Sequence, residues 1–474
     1  MRTLRQRLLV VTSVLGLAFS ANAQQFPSCP LTFNGPDVIV GDVGEAGSPN
    51  NVIQNYNANA TIDAVALAST SCNVGNSNLN WIQNTVNHPL IGGSMYKYKT
   101  VNGSGRFEQI GNAWMKHAFA AFQQTLCCST CTGSGLQQFL QPGCSDPYTA
   151  ARNGTVAMLG PKYQVNPNTG AYLASHPTPS GGGNTGRVEM LLTDLEASSA
   201  SVRYFGEVAY VALDDARQNN NDNNASHREF SVAVGTATQA YNFDDITGSL
   251  TVRMAPALQA WQTVDPGVTI NTIITPEDSI APYDGNGKMV LGSRVTNLGG
   301  GIWHYEYALY NMNSDRAVAS FRVPVAANVV VSNIGFHDVA YRGGDGEGGV
   351  NRDGTDWPGA KTATEVGWAT TPFATNANAN ALRFSTTYNF RFDANAAPTT
   401  GSITVGQFKV VNDVVVPNVD VPGLPPAFDA FCTNGSLGTD HTTACPCGNT
   451  GLAGNGCAHS FDAGGANIAA TGTP

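Results

Sequence analysis

The chain has 474 residues, of which only 12% are charged, and a formal net charge of −10; ordinary globular sequences carry roughly twice that charged fraction. An acidic surface so poor in Lys and Arg argues against nucleic acid and anionic membranes as partners. The 52 glycines, with many Asn, Thr and Ser, indicate a turn-rich β protein.

Arg2, Arg5 and Arg7 precede the apolar run Leu8–Phe19 and the small-residue site Ala21-Asn22-Ala23. A basic start, an apolar stretch too short to span a bilayer and a small-x-small site predict a secretory signal peptide of bacterial type over residues 1–23. No later stretch has the length and apolarity of a transmembrane segment, so the expected location is extracellular or at the cell surface.

Residues 24–186 read as an N-terminal α+β module. Short strands are expected at 37–42 and 62–68, before Trp81, His88-Pro89 and Met95-Tyr-Lys-Tyr98. In 109–126, Met115, Phe119, Phe122 and Leu126 recur at steps of four, three and four, with Ile110, Trp114, His117 and Ala121 on a second line. That period predicts a helix, apolar around most of its circumference and buried against a sheet. It would run into Cys127-Cys128, Cys131 and Cys144.

From 187 to 415 the chain is a succession of short strands. In Trp303–Tyr310, Trp303, Tyr305, Tyr307 and Leu309 share one face, and in 382–392 Phe384, Thr386, Tyr388, Phe390 and Phe392 do the same. Many strands with turn signals between them predict an antiparallel β-sandwich, one large or two small. A Pro-rich linker at 416–427 leads to a small cysteine module at 428–474. The ten cysteines form two even groups, Cys29, Cys72, Cys127, Cys128, Cys131 and Cys144, then Cys432, Cys445, Cys447 and Cys457. Separate disulfide sets are expected, of open connectivity; a redox Cys128-x-x-Cys131 and a metal or redox role for Cys445-Pro-Cys447 are the alternatives.

The pattern Cys445-Pro-Cys-Gly-Asn449, Gly456-Cys-Ala-His-Ser460 and Gly465-Ala466 resembles a small module of secreted, β-rich bacterial proteins that are largely uncharacterised. The runs 305–316, 380–384 and 388–392 resemble β-rich segments of the same proteins. The resemblance implies secretion and β architecture, and no activity.

Nucleophile-elbow, zinc-protease, Walker and dinucleotide-binding signatures are absent. Asp345, Glu347, Asn351, Asp353 and Asp356 put oxygen ligands in a glycine-rich loop and are the candidate calcium site; a solvated acidic loop is the plainer reading. Trp357, beside that loop, is the candidate surface ring for stacking sugars. His88 and His117 are the candidate transition-metal pair, against core roles for both. Asp214-Asp215 and Asp244-Asp245 are paired acids, but neighbours in a strand face opposite ways. The expected function is adhesion or binding of glycan or matrix without catalysis. A secreted metal-dependent oxidase or hydrolase using His88 and His117 is one alternative, and a carboxylate-based glycan-degrading enzyme the other.

Overall fold

The computed structural model describes residues 26, 28–44, 52–117, 120–155, 158–171, 184, 186–236, 238–279, 281–340 and 353–423, with positions 452, 457, 458 and 463. The expected signal peptide, residues 424–427 of the expected Pro-rich linker and almost all of the C-terminal cysteine module lie outside the described residues, whereas residues 416–422 of that expected linker are not a linker but part of the edge strand Asp413–Pro422, paired with Pro398–Gln407. The chain is mainly β, built from antiparallel sheets. No helix among the described residues is long and apolar enough to cross a membrane.

A ten-stranded sheet dominates the first half. Its main path runs Tyr241–Asp245, Ala225–Val234, Val202–Val211, Leu90–Val101, Ser104–Asn112, Val188–Leu191, Ile62–Leu67 and Ile53–Tyr56. Strands Trp114–His117 and Met158–Pro161 attach beside Leu90–Val101. The sheet curls until its first and last strands meet, and side chains close it. Asn55 Nδ2 donates to the Phe243 carbonyl at 2.8 Å, and the Phe243 N–H donates to Asn55 Oδ1 at 2.9 Å. The carboxamide thus copies the donor and acceptor of a missing ladder pair. Nearby, the Tyr241 N–H donates to Asp63 Oδ2 at 2.8 Å.

The helix expected over 109–126 is not formed. These residues belong to strands Ser104–Asn112, Trp114–His117 and Ala121–Phe122. Both faces of the first two are covered, so nearly every residue is buried and the period of two that marks a strand is lost. Ile110 is also passed over between the pairs Met95–Gly111 and Tyr96–Gln109, a bulge that breaks the alternation. Asn102 and Gly103, at φ 51° and 82°, make the tight turn into this hairpin. Hydrogen bonding also crosses the boundary expected at 186, because Val202–Val211 pairs along its length with Leu90–Val101.

Alternation along the strands sorts side chains into stacked cores. Within the curled sheet lie Leu67, Met95, Tyr204, Val208, Tyr210 and Phe230, joined by Val38 and Val40 of the three-stranded sheet Val38–Asp42, Ser69–Asn73 and Ser145–Tyr148. The opposite face sends Tyr96, Phe107 and Phe205 against Trp261, Ala308 and Tyr310. Those last residues back a five-stranded sheet of Thr269–Pro276, Asn286–Gly299, Ile302–Asn311, Thr387–Ala394 and Val331–His337. Its other face packs on a second five-stranded sheet, Gly359–Lys361, Glu365–Ala369, Val318–Pro324, Pro398–Gln407 and Asp413–Pro422. This is the expected antiparallel sandwich: Tyr305, Tyr307 and Leu309 point inward with Tyr388, Phe390 and Phe392, and Phe390 stacks on Phe321 at 4.3 Å between ring centres.

A polar network ties the sandwich to the curled sheet. Lys162, fully buried, donates from Nζ to Ser94 Oγ at 2.8 Å and Ser385 Oγ at 3.0 Å. Gln109 takes the Thr387 N–H at 2.8 Å, and Tyr310 donates to Glu207 Oε1 at 3.0 Å. Burial brings the Lys162 amine down to about 8, with Glu207 opposing that shift. Groups so deep cost stability unless all are bonded, so the network also selects one docking of the two bodies.

The six N-terminal cysteines pair among themselves as Cys29–Cys128, Cys72–Cys127 and Cys131–Cys144. Cys128 and Cys131 therefore do not join as a redox pair. Cys457 is disulfide-bonded; Cys432, Cys445 and Cys447 lie outside the described residues.

Candidate functional site

The acidic loop is only partly in view. Asp345, Glu347 and Asn351 lie outside the described residues, whereas Asp353 caps its own turn by accepting the Thr355 N–H at 2.9 Å. Asp356 is exposed and acts on Asp338, whose carboxyl is raised to about 7, chiefly by burial and further by the Asp356 charge, against a hydrogen bond from Asn380.

Trp357 is not at the surface. It is 1% exposed, stacks on Phe336 at 5.6 Å and meets Tyr388 edge-on, while its Nε1 donates to the Asn380 carbonyl. The chain leaves the acidic loop by driving this ring into the sandwich core, so it offers no platform to a sugar. Trp81, Trp261 and Trp368 are buried too.

His88 and His117 do come together. Their ring centres are 4.5 Å apart, with Trp81 5.2 Å from His88, because Leu90 pairs with His117 across adjoining strands. Burial, reinforced by His88, lowers His117 to about 3, so it is neutral at any physiological pH. Among the described residues no group of three or more His, Cys, Asp or Glu is placed to hold a metal ion.

A third histidine sits in a charged seam between the two bodies. His304 and Glu306 share one face of the strand Ile302–Asn311, and Asp393 comes from the neighbouring strand. His304 Nδ1 lies 2.6 Å from Asp393 Oδ1, and Nε2 lies 3.1 Å from Glu306 Oε2. Arg106 of the curled sheet reaches the same Glu306 oxygen at 3.1 Å. Two ring nitrogens facing two carboxylates are both satisfied only by a doubly protonated imidazolium. Burial works against that charge, but Glu306 and Asp393 outweigh it and the His304 pKa is raised. Burial likewise pushes Glu306 up, and His304, Arg106 and Arg391 more than reverse it. With both nitrogens donating, His304 has no lone pair for a metal or for proton abstraction. The seam is an electrostatic clasp.

The remaining candidate is a surface. The outer face of the second sandwich sheet carries short side chains, Ser320, Gly367, Ser402 and Thr404, with Val415 exposed at its edge strand. Arg322 and Asp413 form its ion pair at 2.6 Å. Strand alternation turns Phe321, Val366, Ile403 and Val405 inward, which leaves the short side chains of Ser320, Ser402 and Thr404 on the outer face.

The fold and these sites define a disulfide-stapled, mainly β protein with a sandwich body. No protein-family model matches the chain, and no curated protein matches it.

Proposed function

We propose that the chain is a secreted or cell-surface protein that works by adhesion, binding glycan or matrix polymer without catalysis. The observation that carries this reading is the outer sheet face around Ser402 and Thr404, with short hydroxyl side chains and the Arg322–Asp413 ion pair on the sandwich. Such a face suits an extended polymer held by many weak hydrogen bonds rather than by ring stacking. The test is a panel of immobilised glycans and matrix proteins probed with the purified chain and with Gly367→Arg/Thr404→Arg. Retained binding by the folded double variant, or release of sugar products from the panel, would overturn the reading.

The approach of His88 and His117 favours a second reading, a secreted metal-dependent enzyme. It predicts near-stoichiometric transition metal in protein purified without affinity metal, lost with His88→Ala; metal-free protein that is fully folded counts against it.

A further inference from the structure

The strand Trp114–His117 carries an amine into the curled sheet. Lys116 pairs with Ile91, a residue of the interior core, whereas its neighbour Met115 packs on the other face with Leu90 and Val211. Alternation therefore turns Lys116 inward. It lines a small cavity walled mainly by Leu67, Ile91, Val188 and Val208, where Asn153 is the second polar side chain. Lys116 is 5% exposed and Asn153 4%. Among the described residues Lys116 Nζ makes no hydrogen bond and meets no carboxylate.

Two further cations stand around it. The Lys162 stem passes behind Gly92, where a Cβ would come within 2.5 Å of its Cε, and Arg187 Nε donates at 3.1 Å to the carbonyl of Gly154, the residue after Asn153. Both act on Lys116 with charge of its own sign. Asn153 Nδ2 donates to the Leu67 carbonyl at 2.9 Å and to Ser69 Oγ at 3.0 Å, which fixes the amide; its Oδ1 is buried without a partner among the described residues. The cavity thus holds an amine without an acceptor and an oxygen without a donor, in a positive surround. Chloride would answer the charge but set an anion against Asn153 Oδ1. A bridging water would answer the hydrogen bonds and leave the charge. An imine formed with an aldehyde has no N–H for Asn153 and brings no negative charge.

We propose that Lys116 is a carbon dioxide site, at which Nζ forms a carbamate. Desolvation and neighbouring cations are the two circumstances that make a lysine amine nucleophilic, and both hold here. The amine lone pair attacks the carbon of carbon dioxide. A C=O π bond opens onto oxygen as the N–C bond forms, and one amine proton leaves to solvent. The small apolar reactant suits an aliphatic wall. The product carries a negative charge between Arg187 and Lys162, and its remaining N–H is the donor that Asn153 Oδ1 lacks. The adduct would thereby tie the strand Trp114–His117 to the short helix Ala150–Asn153.

The test uses the full chain equilibrated with carbon-13 bicarbonate at mildly alkaline pH. Native protein should show a carbamate carbon resonance that is absent from Lys116→Met, and wild type should melt higher under bicarbonate than under equal sodium chloride. Asn153→Asp, which sets a like charge against the adduct, should lower its occupancy about tenfold. If Lys116→Met does not fold, wild type alone decides: trapping with triethyloxonium and peptide mass mapping should place the ethyl carbamate on Lys116 well above the solvent-facing Lys99 and Lys409. No carbamate in wild type, or a resonance kept in Lys116→Met, overturns the site. So does label at Lys116 no greater than at Lys99 and Lys409, or equal occupancy in Asn153→Asp. Stabilisation by chloride equal to that by bicarbonate overturns it too, and leaves a counter-ion as the occupant.

Discussion

Replacing Trp357 by alanine separates a core role from a surface role. A buried tryptophan hides roughly 200 Å² of surface, worth about 5 kcal/mol at about 25 cal/mol per Å². Measured truncations of this kind cost about 3–5 kcal/mol, the spread reflecting how far the site collapses. Here collapse is resisted on three sides, since the ring lies 5.6 Å from each of Phe336, Tyr388 and Phe390. Loss of the indole N–H also strands the Asn380 carbonyl, adding about 1 kcal/mol. We therefore expect Trp357→Ala to cost about 4–5 kcal/mol. At about 3 °C per kcal/mol for a body of this size, that lowers its melting transition by about 12–15 °C. Guanidinium denaturation followed by near-ultraviolet circular dichroism, with calorimetry, measures both. A change below about 1 kcal/mol, accompanied by loss of a glycan signal, would refute the packing argument and restore Trp357 as a binding ring.

Three further outcomes are expected. Because the folded His304 pKa is raised, the stability it contributes is fully present below its unfolded value, about 6.5, and is lost as pH rises through the folded one. Asp146 and Asp338, both raised to about 7, carry the same sign, so the diagnostic is a smaller slope in His304→Gln than in wild type; equal slopes would refute the clasp. Asn55→Leu removes the two Asn55–Phe243 bonds at the closing seam of the curled sheet and should cost about 1–3 kcal/mol while speeding hydrogen exchange at Phe243; unchanged exchange there would mean the seam is held by other contacts. Replacing Cys131 and Cys144 together by serine opens a 13-residue span and should cost about 3 kcal/mol in denaturant, read from the unfolding midpoint; an unchanged midpoint would refute the crosslink as a stabiliser.

What could be read from the residues depends on whether an element's two faces differ in composition, since Ile302–Asn311 and Ser104–Asn112 are both covered on two faces. Ile302–Asn311 alternates visibly because one face is packed with rings and the other mixes Ala308 and Tyr310 with Glu306. Ser104–Asn112 is covered on both faces and carries a bulge, so its buried residues mimic a helical spacing; the Asn102-Gly103 turn was the local sign of a hairpin. The nearness of His88 and His117 was accessible because both sit in one short stretch of chain. Trp357 misled because a ring flanked by acids, glycines and proline has a surface composition, and only the tertiary path of the chain buries it. His304 with Asp393 is set by strand register between distant segments, which no local pattern encodes.

The position of Val202–Val211 bears on how the molecule is assembled. It forms ten consecutive pairs with Leu90–Val101 on one side and pairs with Ala225–Val234 on the other. As the chain is made, the hairpin that ends at Asn112 must therefore wait for about ninety more residues before its missing neighbour exists. All three N-terminal crosslinks fall within residues 29–144 and can close during that wait. They would shorten the search for a distant partner at the moment when an unpaired sheet edge is most open to another chain. The staples thus act as guardians of a half-built sheet, a service distinct from anything they lend the finished one.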